Sequence, residues 1–264
     1  MWQVIGASVE GESHLRSGSP CQDAHGYRLL DSGVVAAIAD GLGSSTQSHE
    51  GAQLAVCAAL DSLVSCLRSN VPDNIEDWRA ILLAAFAEAR RQVTRLSARS
   101  GLPLREYGTT LVVIVATKEW LAVGHVGDGA VVAGFADGTL ESFRAPKVNE
   151  FVNETTALTS DGAFDLALFT ARQARIKSLA MFTDGLQDLC LNNATGKPFP
   201  PFFEPLFAAL SAPLDTANML PHLTEFLRSD RVRARTDDDT TLLVMGHVPV
   251  DGVFPIDQKS THMG

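Results

Sequence analysis

The chain has 264 residues, 45% hydrophobic and 20% charged, and 31 acidic against 21 basic residues give it a net charge of −10. That balance is ordinary for a soluble globular protein, and without a basic stripe to follow a phosphate backbone it argues against nucleic-acid binding. No basic segment leads into an apolar stretch after Met1, and the run Leu111 to Ala116 is too short to span a bilayer, so a cytoplasmic protein with no membrane partner is expected.

Trp2 to Val9 and Val34 to Asp40 read as strands, with "GYRLL" between them as a candidate third. From Ser48 to Asn70 apolar residues fall at near-helical spacing. Cys57 and Cys66 lie within that pattern and read as small buried hydrophobes; with Cys21 and Cys190 they show no CxxC spacing, which fits a reducing compartment. Asp73-Asn74 predicts a cap for a second helix. Its stripe runs Ile75, Trp78, Ile81, Leu82, Ala85, Phe86, Ala89, Val93 and Leu96, and Arg90, Arg91, Arg95 and Arg99 face water. Strands follow at Thr109–Ala116, Trp120–His125 and Ala130–Phe135, and Asp137-Gly138 turns the chain into Leu140–Phe143. A less regular stretch precedes another strand at Ser178–Thr183. Helical patterns return at Pro201–Leu210 and Ala217–Leu227, before a last strand from Thr240 to Gly246. Strand blocks and helix pairs are segregated, which implies an α+β architecture of antiparallel sheets covered by helix pairs. No linker or repeat divides the chain, so a single domain is expected over 1–248, with a flexible tail at 249–264.

Three apolar strands end in an acid followed by glycine: Asp40-Gly41, Asp128-Gly129 and Asp184-Gly185. Asp237-Asp238-Asp239 instead precedes a strand. In an antiparallel sheet the end of one strand lies beside the start of its neighbour, so these acids converge on one sheet edge. Converging carboxylates repel unless they are protonated or bind cations, and an oxygen-only donor set suits a hard ion such as magnesium or manganese. Asp-Gly is also a common turn dipeptide, and Asp137-Gly138 reads as nothing more.

In order, "SPCQDAHG", "AIADGLGSS", "YGTTLVVIV", "VGHVGDGAV", "MFTDGLQD" and "DDDTTLLV" resemble the motifs of the metal-dependent serine/threonine protein phosphatases, the type 2C family, in its compact bacterial form. The resemblance spans Ser8 to about Met245. It implies a β-sandwich of two antiparallel sheets flanked by pairs of α-helices, a four-layer αββα arrangement with two Mn2+ or Mg2+ ions at one end. By position, Asp40 resembles the carboxylate bridging both ions, the Gly41 carbonyl a ligand of one, and Asp184 and Asp238 ligands of the second. Asp23 matches an acid beside the metal-bound waters. Asp128 and Asp188 resemble the acids that, with Asp184, hold a weaker third ion in some members. The implied reaction is in-line attack on phosphoserine or phosphothreonine by a water bridging two metals, without a covalent enzyme intermediate.

Several positions depart from the family pattern. Leu42 stands where many members carry the His proposed as general acid, which leaves His25 or a metal-bound water as proton donor. Gly18 replaces an Arg that often grips the phosphate; nearby Arg16 either supplies that contact or is a plain surface residue. Gln22 replaces a frequent Glu, removing one charge beside the metal waters. The stretch 147–161 lies where the family has a flap and reads as a substrate-selecting loop. The expected partners are a phosphorylated protein substrate and a serine/threonine kinase or its target, with the chain itself a monomer. The competing readings are a catalytically inactive phosphoprotein-binding scaffold and a phosphohydrolase with an aspartyl nucleophile. The latter calls for a second acid at the position of Leu42.

Overall fold

The strands at Gly33–Ala39, Leu111–Thr117 and Trp120–Val126 are buried at every position. A strand with no polar face needs a packed layer on each side. A computed structural model, describing residues 1–145, 155–192, 194–212 and 215–248, supplies those layers. In chain order the elements are β1 (Trp2–Val9), α1 (Glu12–Ser17), β2 (Ala24–Leu30), β3 (Gly33–Ala39), α2 (Ser48–Ser69) and α3 (Ile75–Ser100). A 3-10 turn (Leu104–Tyr107) leads into β4 (Leu111–Thr117), β5 (Trp120–Val126), β6 (Ala130–Phe135), β7 (Leu140–Phe143), β8 (Leu168–Gln173) and β9 (Ile176–Phe182). The remainder comprises α4 (Gln187–Cys190), α5 (Pro200–Ala209), α6 (Thr216–Leu227), α7 (Asp230–Arg233) and β10 (Thr240–His247).

Two five-stranded sheets result, ordered β1-β10-β9-β6-β7 and β2-β3-β4-β5-β8, with every pairing antiparallel. The period-2 alternation of each strand sorts its residues between layers. Val34, Ala36 and Ile38 of β3 meet Met181, Leu243 and Met245 between the sheets. Val35, Ala37 and Ala39 face outwards onto α2 and α3 with Leu63, Trp78, Leu82 and Phe86. On the far side, Phe202 and Phe203 of α5 and Leu223 and Leu227 of α6 cover Ala180, Phe182, Leu242 and Val244. This is the expected α+β sandwich with a helix pair on each outer face.

The predicted cap of α3 is present: the Asn74 side chain accepts from the Asp77 amide at 3.0 Å. Other expectations need correction. Cys57 is exposed and Cys66 half-buried, because the buried face of α2 runs through Ala52, Ala55, Val56, Ala59 and Leu63, and position 57 is rotated away from it. Ile75, at the first turn of α3, is exposed rather than part of the stripe. Arg90 is half-buried, with Nη1 donating to the Ser160 carbonyl at 2.7 Å. The edge strand β8 has two half-buried apolar residues, Leu168 and Phe169, and one buried one, Ala171, so no alternation announced it. By length and composition α2 could cross a membrane, but here its apolar face packs, beside that of α3, on the second sheet. The tail 249–264 and residues 146–154 of the flap position lie outside the described residues.

Register brings the acid-bearing ends together. Ala130, Phe182 and Leu242 stand side by side across the first sheet, which sets Asp128, Asp184 and the 237–239 run at one edge. Across the second sheet, Ala24 pairs with Ala39 and Leu111 with Val126, which brings Asp23 and Asp40 to the same end. Gly51 of α2 lets that helix approach the 3-10 turn ahead of β4: a Cβ there would stand 2.4 Å from the Tyr107 carbonyl oxygen. Backbone is a poor yielding partner, and overpacking of this kind costs about 1–3 kcal/mol, outweighing the ~1 kcal/mol that helix propensity gains from Gly→Ala. Gly51→Ala should therefore lower the urea unfolding midpoint; a midpoint equal to or above wild type would show that the turn yields freely.

Candidate metal centre

One carboxylate oxygen each from Asp40, Asp128 and Asp184 lie within 4.8 Å of one another. Each acid is held by its backbone. The Asp40 amide donates to Thr110 Oγ1 at 2.9 Å, while Thr109 Oγ1 and the Thr110 amide donate to the Asp40 carbonyl at 3.0 and 2.8 Å. The Gly-Thr-Thr turn ahead of β4 is thus the clamp for the acid that ends β3. Gly41 is packed so tightly that a Cβ would meet the Gln22 carbonyl oxygen at 2.8 Å. Behind Asp184, a Cβ on Gly185 would come within 2.3 Å of the Asp239 carbonyl oxygen. The Asp128 carbonyl accepts from Gln187 Nε2, and its Oδ2 accepts from the Thr155 hydroxyl, so the described end of the flap position reaches the cluster. Asp23 is buried behind it, with Thr183 Oγ1 donating to its Oδ2 at 2.7 Å.

The triple-aspartate run divides three ways. Asp237 is exposed and pairs with Arg16 at 3.8 Å. Asp238 lines a cavity of about 300 Å3 together with Asp128, Asp184, Gly185, Gln187 and Asp188. Asp239 is buried and saturated. Its Oδ1 accepts from the Gly11 amide and from His14 Nδ1, both at 2.8 Å, and its Oδ2 from the Gln22 amide at 2.6 Å. Oxygens of Asp238 and Asp239 and a nitrogen of His14 also fall within 4.8 Å of one another, but three protein donors already occupy Asp239. Its role is to staple residues 11–22 to the start of β10.

Asp23, Asp40 and Asp184 are not electrostatically content. Burial holds Asp23 well above the usual carboxylate range, and burial with the charges of Asp23, Asp184 and Asp128 does the same to Asp40. Burial, then the Asp128 charge, pushes Asp184 up to about 6, and burial raises Asp238. Asp23 Oδ1, Asp128 Oδ1 and Asp184 Oδ1 are buried with no hydrogen-bond partner among the described residues. Buried acceptors of this kind cost free energy unless something cationic meets them. Converging oxygens without thiolates fit a hard divalent ion.

The expected site residues separate in space. Asp40, Asp128 and Asp184 cluster, with Asp23 close enough for its charge to act on Asp40. Asp238 and the exposed Asp188 form the adjoining wall, and Gly41 follows directly from Asp40. His25 stands one relay away: its Nδ1 lies 2.7 Å from Ser8 Oγ, which lies 2.6 Å from Thr241 Oγ1, and that hydroxyl bonds Asp23. Arg16, its side chain 69% exposed, is not on the cavity wall. Sequence reasoning passed over Arg144 and Gln187, which line the cavity together with Arg235, the end of the basic run 228–235 that reads as a solvated loop or a contact for an acidic group. Gln187 was visible in "DGLQD", whereas Arg144 lies in no motif.

The repulsion has a measurable consequence. An acid whose folded pKa is raised contributes stability below its unfolded value, 3.8 here, and loses it as pH rises through the folded value of about 6. Near pH 7.5 the metal-free chain thus carries a cost on the order of 1–3 kcal/mol from Asp184. Asp184→Asn should raise the melting temperature of the EDTA-treated protein near pH 7.5, with the gain shrinking towards about pH 4. A gain that does not change with pH would show that charge is not its source.

Residues 10–228 match the family model described as protein phosphatase 2C. Serine/threonine-protein phosphatase 3 of Escherichia coli K12 is 32% identical over 250 residues, covering 91% of this chain and 96% of that protein. Among solved structures, the phosphatase PstP/Ppp of Mycobacterium tuberculosis matches with a TM-score of 0.60 at 18% identity, covering 94% of this chain and 99% of that one. Stp1 of Staphylococcus aureus matches with a TM-score of 0.59 at 15% identity, covering 94% and 96%. The chain belongs to the protein phosphatase 2C family of serine/threonine protein phosphatases.

Proposed function

We propose that the enzyme is a metal-dependent phosphoprotein phosphatase using two divalent ions, Mn2+ or Mg2+, in a reducing, cytoplasmic setting. The reading rests above all on the carboxylate oxygens of Asp40, Asp128 and Asp184 that lie within 4.8 Å of one another, beside buried oxygens of Asp23, Asp128 and Asp184 that lack hydrogen-bond partners among the described residues. A solved structure of the PstP catalytic domain, 19% identical with a TM-score of 0.60, is of a complex with two manganese ions. Asp40, the Gly41 carbonyl, Asp184 and Asp238 would hold the two ions, and Asp128 with Asp184 and Asp188 a weaker third. When bound, such ions supply Lewis acidity, lowering the pKa of water and neutralising phosphoryl charge.

The chain's own groups do the rest. Asp23, its proton affinity raised first by burial, takes a proton at its unpartnered Oδ1. The hydroxyls of Thr241 and Ser8 connect that carboxyl to His25. Burial lowers the proton affinity of His25. His25 is the far end of this hydrogen-bonded relay, and the alcohol leaving group takes its proton from the network or from solvent. An inactive phosphoprotein-binding scaffold would leave the repulsion among these acids without a purpose. An aspartyl nucleophile lacks its second acid, since Leu42 stands there.

Hydrolysis of a phosphothreonine peptide should require Mn2+ or Mg2+ and stop in excess EDTA; full turnover after verified metal removal would end this reading. Asp40→Ala and Asp238→Ala should each lose most activity while keeping the fold. Either variant retaining wild-type kcat with two metals bound would overturn the ligand assignment. Asp128→Ala should bind two ions normally while turnover falls or the need for added metal rises. Calorimetry showing loss of tight binding would move Asp128 into the two-ion core.

A further inference from the structure

An in-line displacement leaves a dianionic phosphoryl group to be held, and the N-terminal loop offers it no cation. Gly18 adopts a left-handed φ of +70° with open space around it, and Arg16 points to solvent beside Asp237. Two arginines without an ion pair among the described residues do stand on the cavity wall, Arg235 beside the Asp188 carbonyl and Arg144 tied through Gln187 to the acid cluster. We propose that Arg144 is the phosphoryl-binding arginine of this enzyme, delivered from the end of β7 rather than from the N-terminal loop. The proposal rests on the phosphatase reading above and names a substrate-binding residue for that site.

Arg144 lines the same cavity as Asp128, Asp184 and Asp238. Its guanidinium is half-buried, and its recorded hydrogen bond goes to a neutral group, Gln187 Oε1, at 2.7 Å. The carboxylate charge it feels most is that of Asp128, which does not come within ion-pair distance. A guanidinium has five N–H donors in a planar fork, so one amide leaves most of them for a ligand. A partly desolvated cation without a counter-charge is costly by itself, and the cost falls when an anion arrives. A phosphoryl oxygen pair is the anion that matches the fork bidentately.

The arginine is also mounted rigidly, as a binding group must be. Gln187 accepts from it at one end of its amide and donates to the Asp128 carbonyl from the other, tying it to the acid cluster. The next backbone amide, that of Ala145, donates to His125 Nδ1 at 2.9 Å. His125 is wholly buried between the sheets, three residues before Asp128. Because its Nδ1 accepts, its proton sits on Nε2 and the ring is neutral; burial and then the nearby Arg144 charge push it down to about 3. The ring thus anchors the strand end without adding a second positive charge beside the guanidinium. Acids able to hold cations and a guanidinium without an ion pair among the described residues line one cavity, a lining that suits a phosphoryl group bound to metal ions.

The rival role for Arg144 is a counter-charge that merely steadies the acids. Inhibition by inorganic phosphate at saturating Mn2+ separates the two, read beside KM for a phosphothreonine peptide and Mn2+ affinity by calorimetry. Arg144→Ala should weaken phosphate inhibition and raise KM by about tenfold or more, as the loss of a charged hydrogen-bonding pair implies. Arg144→Lys, which keeps the charge but not the fork and guards against a misfolded alanine variant, should fall between the two. Unchanged phosphate inhibition in Arg144→Ala with tighter Mn2+ binding would establish the counter-charge role and overturn the proposal. So would weakened phosphate inhibition in Arg16→Ala but not in Arg144→Ala. If the wild type hydrolyses no phosphopeptide, the functional reading fails. Phosphate binding to the Mn2+-loaded wild type and Arg144→Ala, measured calorimetrically, then still decides for or against Arg144.

Discussion

Mutual repulsion among buried carboxylates is the constraint around which this protein is organised. Asp23, Asp40 and Asp184 sit at the end of a sandwich, where burial first and then the charges of neighbouring acids raise their proton affinity. Left to themselves such groups would move apart or take up protons. They stay because each is held through backbone that the core immobilises. Strands with both faces buried, such as β3 and β4, cannot shift their ends without disturbing two layers of packing at once. The four layers therefore act as a frame that stores unfavourable electrostatics where a cation can relieve them.

The same logic explains the hydroxyls around the acids. Thr109, Thr110, Thr183 and Thr241 all bond to backbone or to Asp23 at the mouth of the sandwich. They satisfy polar groups without adding charge, so the field at the cluster remains that of the acids. Only Asp239 departs from this rule: it is as buried as Asp23, yet its charge is met by two amides and an imidazole. Asp239 and Asp23 thus differ in the donors that meet them, not in depth.

Much of this was legible in the chain. Apolar runs ending in Asp-Gly marked the strand ends, and the segregation of strand blocks from helical stripes such as that of α3 carried the α+β architecture. The pairing of strand ends with strand starts was enough to bring Asp40, Asp128, Asp184 and Asp238 to one edge. Asp137-Gly138 was legible as an ordinary turn and is one, with Gly138 at φ +88°. What escaped detection depends on distance in the sequence. The link between Ala145 and His125 spans 20 residues and that between Asp239 and Gly11 spans 228, and no local pattern encodes either. Arg144 was invisible for the same reason, since an arginine after a short edge strand resembles any surface residue until the opposite wall is in place. Cys57 failed differently: composition assigned it to the core, and the helix phase assigned it to solvent.

The position of β10 carries a consequence for folding. This strand lies between β1 and β9, and the residues just before it supply both Asp238 and the Asp239 staple. Without it the first sheet lacks one of its inner strands, and β1 and β9 face each other across a gap with unpaired edges. Pairing Trp2 with His247 closes a loop over all the sequence between them. Every strand of the second sheet precedes β9, so that sheet can form first, but Asp238 reaches the cavity wall only once β10 is in place.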